Sequence, residues 1–533
     1  MSSEEPSFRE KKYDRQIRLW GLGGQKALET SKVCLLNATG VGTETLKNLV
    51  LPGIGSFTIV DGNLVTEADL GNNFFVTVED LNEPRGERAT KWLTELNPDV
   101  KGGSLNEKPE MVIETNPDYF RNTDVTLVIA TQLPEPTIAK LASILHTHNI
   151  PLLVVRSYGL IGYVRVQAPS YAIVETFPDQ QVEDYHVLNP FPELEHFVES
   201  VGHPDSITDT LEHAHIPWVC LMVHYLKKWK QENKWEGSEL TYKQRKEVME
   251  LVKGGKLKED EENFQEALTS GTKINPPQIP SALQDLMASP ETELVNGSTE
   301  PFWFCMNALK QFYSTHKRLP INGKLNDMTS TTGWFIALQN VYAAKAQQDL
   351  EKISGYIKES INHLKGTGKP TVDVPAEYIS LFCKNVWNVR YARFRTVQQE
   401  VDPGSAMVSM LSKELETDEP TVVWYLLLRA GDRFYAANNR FPGDTETVLE
   451  ADVAQLAKCL KSLLQEMGVS QSVDAEYVQE WARYSASELH NISAVLGGVA
   501  SQEAIKMITQ QRAPMNNTLI FDGINGTMAT YEL

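Results

Sequence analysis

Lys32-Val-Cys-Leu-Leu-Asn37-Ala-Thr-Gly-Val-Gly42 is the stretch on which the fold turns. Lys32–Leu36 is a short apolar run of the kind that forms a strand buried on both faces. The loop Asn37–Gly42 follows it. Thr43–Leu51 then shows helical spacing, with Leu46, Leu49 and Val50 on one side and Pro52-Gly53 as a stop. Ser56–Val60 reads as a second strand, and Asp61 stands at its carboxyl end, nineteen positions after Gly42. Val125–Ile129 and Pro151–Val155 are further strand candidates. Short apolar strands alternating with helices predict an α/β fold with a doubly wound, mostly parallel sheet.

From about residue 170 the texture changes. Amphipathic helices are expected at Trp218–Asn233, Tyr242–Lys253, Phe302–Thr315, Trp334–Leu364 and Val422–Asn438. Polar stretches separate them, and Ala288–Glu300 reads as a mobile loop. The last fifty residues return to the first style, with a small-residue helix at Ile492–Ile508 and a strand at Thr518–Phe521. The expected organisation is a first part over 1–169, a mostly α-helical insertion over 170–480, and a return segment over 481–533.

A length of 533 residues implies more than one core, and 41% hydrophobic residues with 10 Trp and 18 Phe supply the burial. A net charge of −20 argues against nucleic-acid binding through a basic surface. The opening Met-Ser-Ser-Glu-Glu-Pro has no apolar run, and no stretch nears 18 uninterrupted apolar residues, so neither a secretory signal nor a membrane span is expected. Five unclustered Cys fit free thiols in a reducing compartment and give no zinc pattern.

The loop Asn37–Gly42 sits where a Rossmann-like dinucleotide or ATP fingerprint would sit. That pattern wants Gly at its first and third positions, and here they are Asn37 and Thr39. The third needs bare backbone for phosphates to approach, and a β-branched Thr puts two heavy atoms in that path. Gly42, kept for close packing of helix on sheet, serves the fold. The residues therefore favour a Rossmann-like loop without a nucleotide, with a nucleotide-using enzyme as the rival.

Several blocks resemble the activating enzymes for ubiquitin-like proteins. Tyr13-Asp-Arg-Gln-Ile-Arg-Leu-Trp-Gly21 is similar to their amino-terminal signature. Leu46–Gly55, Ser56–Asp61, Pro151–Gly162 and Gly497–Lys506 resemble further blocks in the same order. Asn72–Phe75, Ala130–Glu135, His215–Trp218, Asp260–Phe264, Leu338–Tyr342 and the terminal Leu533 are similar to the regulatory subunits of the neddylation branch. The fold implied is a pseudo-adenylation domain interrupted by a helical domain that corresponds to the catalytic-cysteine domain of active members but lacks the cysteine.

Active members bind ATP and magnesium, join the modifier's carboxyl terminus to AMP, and need acidic metal ligands with a Lys and an Arg for the phosphates. At the matching positions this chain has Asn63, Asn72 and Gln132, with Arg85 for the Lys and Asp61 alone kept. The resemblance thus implies no cofactor on this chain, with ATP and Mg at a catalytic partner subunit. None of Cys34, Cys220, Cys305, Cys383 and Cys459 lies in the family's Pro-x-Cys-Thr context; all sit in apolar patterns that imply buried, inert thiols. No catalytic residue is expected here beyond Arg15, whose place in the signature implies a contact in trans with the partner's ATP. Its local surroundings, rich in Lys11, Lys12, Asp14 and Arg18, fit a surface ion pair equally. His215 with Trp218, and Asp327 to Asn340 with Trp334 and Phe335, match partner-contacting segments, although core packing explains the aromatics as well.

The implied function is that of a regulatory subunit in a heterodimer whose catalytic subunit adenylates the modifier, takes it as a thioester and passes it to a conjugating enzyme. Partners are then the catalytic subunit, the ubiquitin-like modifier and, through the complex, the conjugating enzyme, in the cytoplasm with the nucleus left open. The rivals are a regulatory subunit of the sumoylation branch, whose insertion is much shorter, a self-sufficient ATP-dependent adenylating enzyme or nucleotide-dependent oxidoreductase, and a free-standing adaptor.

Overall fold

The computed structural model describes residues 11–533 apart from 177–181, 183, 444–447 and 485. The amino-terminal hexapeptide read above lies outside the described residues. β1 (Lys32–Leu36) and β2 (Ser56–Val60) fall on the residues their apolar runs mark. β3 (Lys101–Leu105), β4 (Leu127–Thr131), β5 (Leu152–Tyr158) and β6 (Ile161–Gln167) follow. β7 (Tyr171–Ile173) pairs with β8 (Arg390–Ala392) in a separate ribbon, and β9 (Thr518–Asp522) with β10 (Thr527–Tyr531) closes the chain. The main sheet has the order β10-β9-β6-β5-β4-β1-β2-β3. Its pairings from β3 across to β5 are parallel, and those from β5 out to β10 are antiparallel.

Period-two alternation assigns the strand residues to two cores. Cys34, Leu36, Val128, Ala130 and Val154 point into one, and Val33, Leu35, Leu127, Ile129 and Val155 into the other. The second core is closed by the helices Gly40–Val50 and His490–Thr509. The first is closed by the helices Glu135–Thr147, Val422–Asn438, Leu449–Met467 and Ala475–Tyr484, which contribute Leu141, Trp424, Leu427, Leu460 and Trp481.

That covering layer corrects the expected organisation. The chain forms two compact units, one reaching Ile173 and resuming at Tyr391, the other Val174–Arg390. The insertion therefore ends near 390 and not at 480. The helices after 391 look like those before it because amphipathic spacing shows only that a helix buries one face, not what it buries that face against. The second unit is helical, built on Trp218–Asn233, Tyr242–Gly254, Pro301–His316 and the long Thr332–Gly366. The polar stretch expected as a mobile loop is held in place. Pro290–Glu293 forms a 3-10 turn, the buried Thr292 hydroxyl donates to Leu286 O at 2.7 Å, and Leu294 is only 5% exposed. Among the described residues no helix is long and apolar enough to cross a membrane.

Charge fixes the covering layer as well as apolar area does. Arg156 at the end of β5 makes a two-pronged contact with Asp432, at 2.6 and 2.7 Å, and both side chains are buried. The same carboxylate accepts the Glu135 N–H at 3.0 Å, and the Glu135 carboxylate pairs with Arg429. Arg165 of β6 pairs with Glu400 and donates to Arg395 O at 2.9 Å. Removing one member of a buried pair strands the other charge, at a cost of about 3–5 kcal/mol. Asp432→Ala is therefore expected to lower the unfolding free energy by that order, read from the shift of the denaturant midpoint. The double change Arg156→Met with Asp432→Leu should recover most of the loss, and failure to recover would mean that Arg156 has a role beyond the pair.

Candidate functional site

The carboxyl ends of β1, β2 and β4 converge on the loop Asn37–Gly42. Thr39 caps the following helix: its hydroxyl accepts the Gly42 N–H at 3.4 Å and donates to the Thr131 hydroxyl at 3.2 Å. The β-branched residue that stands in the phosphate path is thus a buried structural cap. Gly42 is needed for space, since a Cβ there would come within 2.8 Å of Asn37 O and 3.0 Å of the Thr131 hydroxyl. Asn37 takes the left-handed region itself, with φ of 68°, and its amide donates to Thr131 O at 3.0 Å.

The positions where ligands to a metal triphosphate would stand are bound internally. Asp61 is 1% exposed. It accepts the Ala38 N–H at 2.9 Å, the Asn63 backbone N–H at 2.9 Å and side-chain amide at 3.0 Å, and Arg85 Nε at 2.8 Å. Arg85 spends its second arm on Asp69 at 2.9 Å, so this cation is matched within the protein. Gln132 is locked against the backbone of Ser157, donating to its O at 2.6 Å and accepting its N–H at 3.1 Å. Asn72 has its carbonyl over the loop, 3.1 Å from His490 Nδ1.

The N–H groups that open the helix are also taken. Glu488, contributed by the far end of the chain, accepts the Val41 N–H at 2.7 Å and the Gly40 N–H at 3.3 Å. Burial pushes its carboxyl above the usual range, opposed by those two N–H groups and by Arg85. Sequence reading misses Glu488 altogether. It lies 447 residues from Val41, and nothing local to Ser487-Glu-Leu489 marks it.

The thiols carry no sign of a nucleophile. Cys34, Cys220, Cys305 and Cys383 are buried, and Cys459 is half-buried. Burial pushes Cys34 and Cys383 up to about 12, and Cys220, Cys305 and Cys459 also upward. A thioester-forming thiol needs access and an unraised pKa.

The two families of expected contact residues part company. Arg15 lies on the helix Asp14–Thr30 with its side chain exposed, while Arg18 pairs with Asp14 at 2.9 Å. In the second unit Trp218 is 4% exposed and packs edge-on against Tyr185 at 4.8 Å, so it is a core side chain of this chain. His215 is half-buried with Nδ1 at 2.6 Å from Leu211 O. Trp334 and Phe335 are half-buried at the start of the long helix, leaning on the same core, whereas Asp327 and Asn340 face solvent.

A capped glycine loop at the carboxyl ends of parallel strands, its donors and its acid bonded to groups of the same chain, defines an adenylation-like domain. The ThiF family profile matches residues 13–533. A NEDD8-activating enzyme E1 regulatory subunit of Xenopus laevis is 40% identical over 538 residues, covering 99% of each chain. The Arabidopsis thaliana subunit AXR1 is 39% identical over 530 residues, covering 98% of this chain and 96% of its own, and the Drosophila melanogaster subunit is 35% identical over 536, covering 100% and 99%. The chain belongs to the ThiF family and, within it, to the NEDD8-activating enzyme E1 regulatory subunits. It is a non-catalytic subunit that works with a catalytic partner, which sets aside the sumoylation-branch and self-sufficient-enzyme alternatives.

The thiol environments give a direct expectation. A disulfide-exchange reagent should label at most Cys459 rapidly in the folded chain and all five Cys after denaturation. Fast labelling of a second thiol would show an accessible nucleophile that the buried settings exclude.

Proposed function

We propose that this chain supports, without performing, the ATP-dependent activation of the ubiquitin-like modifier of neddylation. ATP and Mg bind at the catalytic partner subunit, which adenylates the modifier, takes it as a thioester and hands it to a conjugating enzyme. This chain binds no nucleotide. The observation that carries the reading is the internal occupation of its cradle, by Glu488 on the helix N–H groups and by Arg85 and Asn63 on Asp61. A triphosphate would have to displace a carboxylate, break a buried ion pair and enter a site with no free acid for its metal. Free cysteines at Cys34, Cys220, Cys305, Cys383 and Cys459 suit a cytoplasmic setting. Asp327 and Asn340, exposed at the head of the long helix, are the expected contact residues best placed to meet a partner, and His215 is half-exposed.

Arg15 is the one residue proposed to touch the reacting system. Its helix is anchored by neighbours that leave Arg15 itself facing solvent. Tyr13 is 2% exposed and its hydroxyl accepts Asn97 Nδ2 at 3.1 Å, while Lys12 Nζ donates to Asn97 and Asp99 at 2.7 Å each. A guanidinium held in this way is suited to bidentate contact with a phosphate across a dimer.

Isothermal calorimetry of the full chain with Mg-ATP is expected to show no stoichiometric micromolar binding; such an isotherm would overturn the reading. Arg15→Ala in the assembled enzyme should slow modifier-dependent pyrophosphate exchange roughly tenfold to a hundredfold, the worth of a charge-assisted phosphate contact, with assembly intact. Arg18→Ala should do much less, since its exposed pair with Asp14 contributes ~0–1 kcal/mol. Normal exchange with Arg15→Ala would exclude the trans role, and a broken dimer would make Arg15 an assembly residue.

A further inference from the structure

The turn that carries Glu488 is built to deliver a carboxylate. It follows the helix Ala475–Tyr484 and precedes His490–Thr509. Its backbone is pinned to the sheet, because Gly159 N donates to Ser487 O at 2.7 Å and Gly159 forms a parallel bridge with Glu488. Gly159 has φ of +58° and lies under the Tyr484 ring, so close that a Cβ would meet it at 2.3 Å. From this anchored position the Glu488 side chain takes the Val41 N–H at 2.7 Å, the Gly40 N–H at 3.3 Å and the Ser493 hydroxyl at 3.3 Å. Gly40 stays bare under Asn72 O, which a Cβ would approach to 2.7 Å, and the capped helix runs eleven residues to Val50.

Two oxygens of one carboxylate thus stand where two oxygens of a phosphate would stand, on the N–H groups and partial positive charge of a helix start. We propose that Glu488 is an internal ligand of the phosphate cradle, an autoinhibitory contact that keeps inorganic phosphate and nucleotide phosphates off an anion site the fold still possesses. This rests on the reading that the chain itself uses no nucleotide, and it adds what keeps the site closed. A tethered carboxylate competes at an effective concentration of at least ~mM, above what a weak free anion overcomes. Burial of an anion here is tolerated because the same N–H groups would otherwise be left without partners. Loss of the Asp, Arg and Lys ligands removes the affinity for Mg-ATP, whereas Glu488 removes the residual affinity for phosphate alone.

The test uses the full chain with Glu488→Ala, and Glu488→Ser as a second variant that retains a short polar group. Inorganic phosphate and ADP are titrated by calorimetry and by shift of the thermal midpoint, which rises with any ligand of the folded state. Wild-type chain should respond to neither probe. A folded Glu488→Ala or Glu488→Ser chain should bind one phosphate or ADP at least roughly tenfold more tightly than wild type, equivalent to ~1.4 kcal/mol. Folded variants that bind neither probe any better than wild type would overturn the proposal. Stoichiometric Mg-ATP binding by the wild-type chain is a different outcome: it would overturn the nucleotide-free reading and, with it, the role of Glu488 as an effective plug.

Discussion

The helices Gly40–Val50 and His490–Thr509 approach so closely that Gly497 has no room for a side chain. A Cβ on it would lie 2.8 Å from Glu44 Cβ and 2.9 Å from the Glu44 carbonyl carbon. Small residues at Gly497, Ala500 and Ala504 let two helix backbones meet over one face of the sheet. Much of the first unit hangs on this approach. It brings residues from both ends of a 533-residue chain into one core, aligns β9 antiparallel to β6, and sets the turn before His490 above the loop Asn37–Gly42. An insertion of more than two hundred residues can then leave and re-enter the unit without disturbing its sheet, because the closure is made by segments outside the insertion.

The opposite face is closed by a different kind of force. Val422–Asn438 offers Trp424, Leu427 and Phe434 to the core but also Asp432 to Arg156 of β5 and Arg429 to Glu135, while Arg165 of β6 pairs with Glu400. Ion pairs in such places add little net stability over a well-packed apolar contact, since desolvation consumes most of the attraction. What they impose is register. Arg156 finds its two-pronged partner at one setting of the helix along the strand, while apolar ridges tolerate several. The Trp481 ring stacked on Tyr158 at 3.8 Å adds a second fixed point on the same strand end.

The parts of this architecture legible in the sequence are those where local chemistry and tertiary role coincide. β1 and β2 are interior strands of the sheet and read as short, mostly apolar runs, and the helices Trp218–Asn233 and Val422–Asn438 begin and end where their spacing does. β3 escapes notice because Lys101-Gly-Gly-Ser-Leu105 is a polar edge strand with no apolar signature. β6 hides a buried Arg165 and Gln167 that only distant partners, Glu400 and Val397 N, make tolerable. The limit of the insertion is illegible for a related reason, since the helices after 391 bury their stripes against strands more than two hundred residues away. At the site, the lost glycines at 37 and 39 and the neutral Asn63 and Gln132 are plain in the sequence. The partner of the helix N–H groups is not, because it comes from position 488.

A loop that opens a buried helix needs partners for its first backbone donors. The residues that open the helix from Gly40 are buried, and Asp61 lies at 1% exposure, so each polar group there would be unpaired without an internal partner. An orphaned buried donor costs about 1–3 kcal/mol and an orphaned charge more. In this chain the donors receive Glu488 and the acid receives Arg85, Asn63 and Ala38 N–H. These bonds make a joint of the loop, β2 and the carboxy-terminal turn. Rigidity there reaches the amino-terminal helix, since Tyr13 is seated on Gly53, where a Cβ would come 2.7 Å from its hydroxyl, and bonds to Asn97, which also donates to Val50 O at 2.9 Å. Val50 ends the helix that starts in the cradle. The internal bonds at the loop are thus linked, through the helix from Gly40 to Val50 and through Asn97 and Tyr13, to the segment from which Arg15 faces outward.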